Sequence, residues 1–148
     1  MYYGSLNAEV QDYIKNAVLS CVGDSTEYVR NITGAIIASI LVKGGIEAWP
    51  GILQQLCAAL DDDSNQLIVD GAISTISKIF EDFSREYDPM RPNPILDEAL
   101  NTAIPKLIGM FSSPVEKFRR LAIHSVNQFL LATPPALISY FDAYVQVK

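Results

Sequence analysis

The chain has 148 residues, of which 49% are hydrophobic and 19% are charged, so its length suits one domain with a sizeable buried core. The apolar share excludes a disordered segment, and two cysteines are too few for a disulfide scaffold. Eleven basic and 17 acidic side chains give a net charge of −6. This charge argues against general binding to nucleic acid or to anionic membrane, because both need a basic surface. These properties predict a soluble, intracellular globular domain.

Apolar residues recur at helical spacing along most of the chain, whereas the alternation typical of strands is rare. Several helix starts carry capping signals. Asp24 precedes Glu27 by three residues, Asp63 precedes Gln66 by the same interval, and Ser113 opens a capping box with proline at the first helical position. The predicted helices span 8–22, 25–43, 49–60, 64–83, 94–111 and 114–132, and a seventh begins near Pro134.

The helices form pairs, and the pairs repeat along the chain. When Arg30, Val69 and Arg119 are taken as equivalent anchors, four positions on one helical stripe are apolar in all three copies. A pair of helices cannot cover its own apolar stripe, so stacking of the pairs buries it. The sequence therefore predicts an all-α solenoid that forms a single array. Its expected repeats span about 8–43, 49–83 and 94–132, with a loop at 84–94 and the start of a fourth repeat at 134–148.

The period, the paired helices and the Asp and Arg positions resemble HEAT repeats, and the chain holds about three and a half of them. Pro105 fits the kinking proline of the first helix in that family. Family Asp and Arg side chains bridge neighbouring repeats, so the resemblance implies a bridge from Asp63 to Arg119. Val69 and Ser113 depart from the pattern and interrupt this ladder. The implied ladder residues are Asp24, Arg30, Asp63 and Arg119.

More specific strings follow one another along the chain, namely Trp49-Pro50, Leu56-Cys57, Leu60-Asp61, Gly71-Ala72, Lys78-Ile79, Glu81-Asp82, Ile104-Pro105-Lys106-Leu107 and Val126-Asn127-Gln128-Phe129. In their order and spacing, these strings resemble the importin-β superfamily over roughly residues 8–145. The resemblance implies a nuclear import receptor that shuttles between cytoplasm and nucleus and binds partners without catalysis. The chain would be a piece of its N-terminal arch, which binds the GTP form of the small GTPase Ran. Cargo and nuclear pore proteins would meet the full-length receptor.

The second helix of each pair is expected to line the concave face, where positions off the apolar stripe are available to a partner. An ordinary solvated helix face remains the alternative at each position. Residues 61–98 hold ten acidic and three basic side chains, which suits either a basic partner or a solubilising rim. Trp49 either anchors a partner or packs between outer helices. The predicted contacts are Asn31, Asp70, Ser74, Ser77, Lys78, Glu81, Asp82, Arg120, His124, Asn127 and Gln128, with Ser39 and Lys43 as extensions.

The sequence carries no catalytic, cofactor or metal motif. His124 is the only histidine, no phosphate-binding loop is present, and the acidic run 61–63 lacks the EF-hand pattern. Cys21 and Cys57 stand alone and are expected to be reduced. The rival hypothesis is a scaffold with the same fold, serving a phosphatase or a chromosome-associated complex without GTPase switching. Nucleotide-dependent binding distinguishes the two hypotheses.

Overall fold

A computed structural model describes residues 6–62, 64–85, 87–88, 90–91 and 93–129. Within these ranges the chain is helical and contains no strand, which confirms the predicted all-α class. None of the described helices is long and apolar enough to cross a membrane. The predicted seventh helix and fourth repeat lie outside the described residues. The helices are α1 (Ala8–Leu19), α2 (Glu27–Gly44), α3 (Ile52–Ala59), α4 (Gln66–Ser84), α5 (Pro94–Gly109) and α6 (Glu116–Asn127), with 3-10 turns at Ile46–Ala48 and Met110–Ser112.

Three helices begin at an asparagine whose side-chain oxygen caps the first turn. Asn7 accepts a hydrogen bond from the backbone N–H of Val10, and Asn93 accepts one from Leu96. Asn65 accepts from two backbone N–H groups at the start of α4. Each cap satisfies donors that the first helical turn leaves without a partner. The cap at Asn93 confirms the predicted start of α5.

Two predicted capping boxes are wrong. Asp24 and Ser113 lie two residues before the true N-caps, Thr26 and Val115, neither of which makes a side-chain capping bond. Each predicted cap instead accepts a hydrogen bond from the backbone N–H two residues on, at 2.8 Å and 3.2 Å respectively. These side chains therefore shape the turn that precedes the helix. The third predicted cap, Asp63, is outside the described residues.

The helices stack in two layers. α2, α4 and α6 pack side by side in one layer, and α3 and α5 neighbour each other in the second. α1 packs against α2, α3 against α4, and α5 against α6, so each pair contributes one helix to each layer. Stacked helix pairs of this kind form an α-solenoid, as the sequence predicts.

The core lies along much of the predicted stripe, although Val29 and Ile68, one residue before the first two anchors, are only half-buried. Seven residues after each anchor, Ile37, Ile76 and Val126 are at most 5% exposed. Ten residues after each anchor, the equivalent apolar residues are also buried in all three copies. Burying a side chain of this size contributes roughly 2 kcal/mol relative to leaving it exposed. The repeated positions therefore hold the layers together.

Trp49 lies within this core, only 5% exposed, with the Lys15 ammonium 5.7 Å from its ring centre. This burial favours the packing alternative for Trp49 over a partner anchor. Cys57 is buried as well, and burial raises the pKa of its thiol to about 11. Cys21 is half-buried and carries no disulfide. Both cysteines are free thiols in this structure.

Glycine permits a close approach between the first two pairs. A Cβ placed at Gly71 of α4 would stand 1.8 Å from the backbone oxygen of Val22, in the turn after α1. No side chain fits at that distance, so the packing of α4 on this turn requires glycine. Gly34 of α2 likewise faces Thr75 of α4, whose hydroxyl would lie 2.9 Å from an added Cβ.

Candidate partner-binding face

An ion-pair network joins the starts of the three helices in the α2/α4/α6 layer. The Arg30 Nε atom lies 3.0 Å from Asp70 Oδ2, and the side chains are 9% and 13% exposed. The Lys117 ammonium of α6 lies 2.6 Å from the other oxygen of Asp70 and 3.9 Å from the Glu27 carboxylate. One carboxylate on α4 thus holds a cation from each neighbouring helix. Charge-assisted bonds of this kind fix the register between stacked pairs.

The anchor arginines also make the same bond within their own pairs. Arg30 Nη1 donates to the backbone oxygen of Asp24 at 2.8 Å, and Arg119 Nη1 donates to that of Ser113 at 2.7 Å. Both acceptors lie six residues before the arginine. The two arginines therefore close the turn that leads into their helix.

The network differs from the predicted ladder. Arg30 pairs with Asp70 of the next repeat, which the sequence analysis predicted to contact a partner. Arg119 donates to a backbone oxygen in the turn before its own helix. Asp24 takes part through its backbone oxygen rather than its carboxylate. Asp63 is outside the described residues, so its bridge to Arg119 stays a prediction. Asp70 makes the bridge between repeats because its carboxylate lies between Arg30 of α2 and Lys117 of α6.

Further along the layer, predicted contact residues bond one another across helices. The Lys78 ammonium of α4 donates to the backbone oxygen of Asn31 on α2 at 2.9 Å. Glu81 Oε1, one turn further along α4, lies 2.8 Å from His124 Nε2 on α6. Gln128 Nε2 lies 3.1 Å from the same histidine nitrogen. We call these five residues the cross-helix row.

The histidine of the row bonds one neighbour at a time through Nε2. When Nε2 carries a proton it donates to Glu81, and when it does not it accepts from Gln128. Burial lowers the pKa of Lys78, an effect that the Glu81 carboxylate opposes. The row therefore brings charged and amide groups of three helices next to one another.

The remaining predicted contacts differ in exposure. Ser77 is only 5% exposed, because it lies four residues after the buried Ile73 and three before the buried Phe80, on the packed side of α4. The structure therefore removes Ser77 from the accessible face. The predicted contacts that are fully or partly accessible include Asn31, Arg120, His124 and Asn127, which are exposed, and Ser74, Lys78, Glu81, Asp82 and Gln128, which are half-buried.

Two features of this layer were not predicted from the sequence. Lys117 and Glu27 complete the ion-pair network, and their pairing depends on the stacking of distant helices. Tyr28, Ile32 and Ile36 form an exposed apolar stripe on α2, at 72%, 42% and 40% exposure. Their spacing of four residues was a visible signal, because it places apolar side chains on a second face of the same helix.

The accessible side of the α2/α4/α6 layer carries side chains of several kinds. Carboxylates lie on α4, an arginine and a histidine on α6, and apolar side chains on α2. Within the described ranges no group of three or more His, Cys, Asp or Glu residues is placed to hold a metal ion. Solenoid faces of this kind bind other macromolecules over an extended area. The fold is therefore that of a helical-repeat protein, a class of proteins that act by binding.

Comparison with known proteins places the chain within this class. It is 34% identical to Transportin-1 of Homo sapiens over 137 residues, 93% of this chain. It is 34% identical to Transportin of Dictyostelium discoideum over 145 residues and 30% identical to Importin subunit beta-2 of Schizosaccharomyces pombe over 139 residues. These matches cover 14–15% of the relatives' own lengths. No family model matches the sequence.

The chain therefore belongs to the importin-β superfamily, and it corresponds to a part of a transportin. This confirms the resemblance drawn from strings such as Trp49-Pro50 and Glu81-Asp82. The names of these relatives denote transport rather than a reaction.

Proposed function

We propose that the chain is a protein-binding part of a transportin-like nuclear import receptor, and that its α2/α4/α6 layer contacts a Ran-type small GTPase in the GTP form. The observation that carries the proposal is the cross-helix row, because it makes one polar face out of three helices. The kinship with transportins supplies the class of partner.

The face is pre-organised for this role. Its helices are held in register by the Arg30–Asp70–Lys117 ion pairs at one end of the layer and by the cross-helix row further along. Ordering of interface groups before binding reduces the entropy that association loses. The carboxylates of α4 suit basic residues of a partner, whereas Arg120 on α6 suits an acidic one.

The wider role follows from the same proposal. The full-length receptor would bind cargo and nuclear pore proteins and would shuttle between cytoplasm and nucleus, and the present repeats would contribute to its GTPase-binding arch. The role is one of binding and requires no cofactor. The rival scaffold hypothesis predicts no preference between nucleotide states.

Titration of the chain with a Ran-type GTPase in two nucleotide states tests the proposal. The GTPase is loaded with a non-hydrolysable GTP analogue in one series and with GDP in the other, and the dissociation constants are compared by calorimetry. We expect tighter binding of the GTP form by at least about tenfold, which is ~1.4 kcal/mol. Equal affinity for the two states would favour the scaffold hypothesis, and absence of binding to both would remove the GTPase contact from this chain.

A further inference from the structure

A cleft of about 360 Å³ opens where α2 and α4 end and α5 begins. Its described lining shares no residue with the cross-helix row. Buried Ile46 and Leu96 provide apolar surface, while Phe83 and Tyr87 contribute half-buried aromatic rings. Three separate parts of the chain therefore build one concave site with an apolar and aromatic interior.

Hydrogen bonds hold a carboxylate in place in this cleft. The Asn93 side chain accepts from the backbone N–H of Leu96 and donates from Nδ2 to Glu47 Oε1 at 3.2 Å. Gly45, with φ +76°, makes the preceding turn, and a Cβ at this residue would stand 2.5 Å from Glu47 Oε2. Glycine adopts the left-handed backbone of this turn without strain, and the asparagine that caps α5 holds the carboxylate.

The aromatic side of the cleft is fixed as well. The Tyr87 hydroxyl donates to Asp97 Oδ1 at 3.2 Å, and the Tyr87 ring packs edge-on against Phe129 with centroids 5.6 Å apart. Phe129 in turn packs edge-on against Phe80 of α4. The loop after α4 is therefore tied to the core through its tyrosine, which holds the ring beside the carboxylates.

The charges of the cleft favour a cation. Glu47 and Asp88 contribute two carboxylates, against the single guanidinium of Arg91, whose side chain is 89% exposed and lies 3.8 Å from Asp88. Asp97 adds a third carboxylate behind Tyr87. Burial and the Asp97 charge raise the pKa of Tyr87 to about 12. Partly exposed aromatic rings next to carboxylates attract cationic groups.

We propose that this cleft binds the cationic side chain of a partner polypeptide, with arginine as the preferred residue. Its head group would pair with Glu47 and Asp88, and its apolar stem would lie along Phe83 and Tyr87. A guanidinium fits best because it is planar, stacks on aromatic rings and meets a carboxylate with two parallel hydrogen bonds. The site is independent of the proposed GTPase contact, because it is built from different residues.

Nuclear magnetic resonance titration of the full chain tests this site. The probes are N-acetyl-arginine N-methylamide, the neutral citrulline analogue of the same shape, and the corresponding glutamate derivative. We expect saturable shifts of the Glu47 and Asp88 amides with the arginine probe, and binding at least about tenfold weaker with citrulline. Equal binding of citrulline, stronger binding of the glutamate probe, or no saturable shift with arginine would each overturn the proposal.

A charge-removing variant sharpens the test. Glu47→Gln keeps an oxygen that can accept from Asn93 but removes the negative charge, so we expect the arginine probe to bind at least about fivefold more weakly. Glu98→Gln is the matched control, since Glu98 is an exposed carboxylate of α5 outside the cleft, and its affinity should equal that of the wild type. Unchanged binding in Glu47→Gln, with helicity preserved, would overturn the assignment.

Discussion

Asp70 of α4 pairs with Arg30 of α2 across the boundary between two helix pairs, at 3.0 Å and with both side chains largely buried. The same carboxylate holds Lys117 of the third pair at 2.6 Å. One aspartate therefore neutralises cations from both neighbouring helices of its layer. A buried charge that loses its partner is strongly destabilising, so this residue is a sensitive point of the stack.

Asp70→Asn should destabilise the chain by about 3 kcal/mol, because it removes the negative charge between two cations while preserving the shape of the side chain. The measurement is the urea midpoint of unfolding followed by circular dichroism. Asp12→Asn, at an exposed carboxylate of α1, is the control and should change stability by less than about 0.5 kcal/mol. A cost for Asp70→Asn as small as that of the control would show that the network contributes nothing to stability.

Gly71→Ala should destabilise the chain by roughly 2 kcal/mol or more, because its Cβ would overlap the backbone oxygen of Val22. Gly109→Ala is the matched control, since nothing lies within 4 Å of a Cβ there and the residue has helical backbone angles. In a helix alanine is favoured over glycine by up to about 1 kcal/mol, so the control should be neutral or stabilising. Thermal unfolding compares the two, and equal melting temperatures would contradict the close approach of α4 to this turn.

The buried thiol of Cys57 should make stability fall in alkaline solution. Its folded pKa of about 11 exceeds the usual value of 9.0, so the unfolded chain loses this proton first as the pH rises. The stabilising contribution is complete below about pH 9 and is lost between about pH 9 and 11. Urea midpoints measured across this window should fall less steeply in Cys57→Ala than in the wild type. Parallel slopes would contradict the raised pKa.

The sequence predicted the helices and the core of this fold with accuracy, because both depend on local spacing. Ile37, Ile76 and Val126 share one register in their repeats, and all three are buried. The N-caps of α2 and α6 were predicted two residues too early. A Ser or Asp followed three residues later by Glu occurs in a capping box, but it also occurs in a turn that precedes a helix.

The candidate face was only partly predictable. Asp70 lies off the apolar stripe, so periodicity assigns it to an open surface, whereas its real partners come from neighbouring helix pairs. Ser77 is polar, but it lies on the same side of α4 as buried apolar residues and is therefore buried with them. The bond from Lys78 to Asn31 joins residues 47 positions apart. Such contacts depend on how the pairs stack, which no single repeat encodes.

The claim that the α2/α4/α6 layer carries the GTPase contact is tested most directly by reversing one charge on each layer. Asp82→Lys alters the face on α4, and Glu98→Lys makes the same change on α5, which belongs to the other layer. The measurement is the dissociation constant of each variant for the GTP-loaded Ran-type GTPase. We predict that Asp82→Lys weakens binding by about tenfold, ~1.4 kcal/mol, while Glu98→Lys leaves it unchanged. Equal affinities of the two variants, or a loss confined to Glu98→Lys, would contradict the assignment of the contact to this layer.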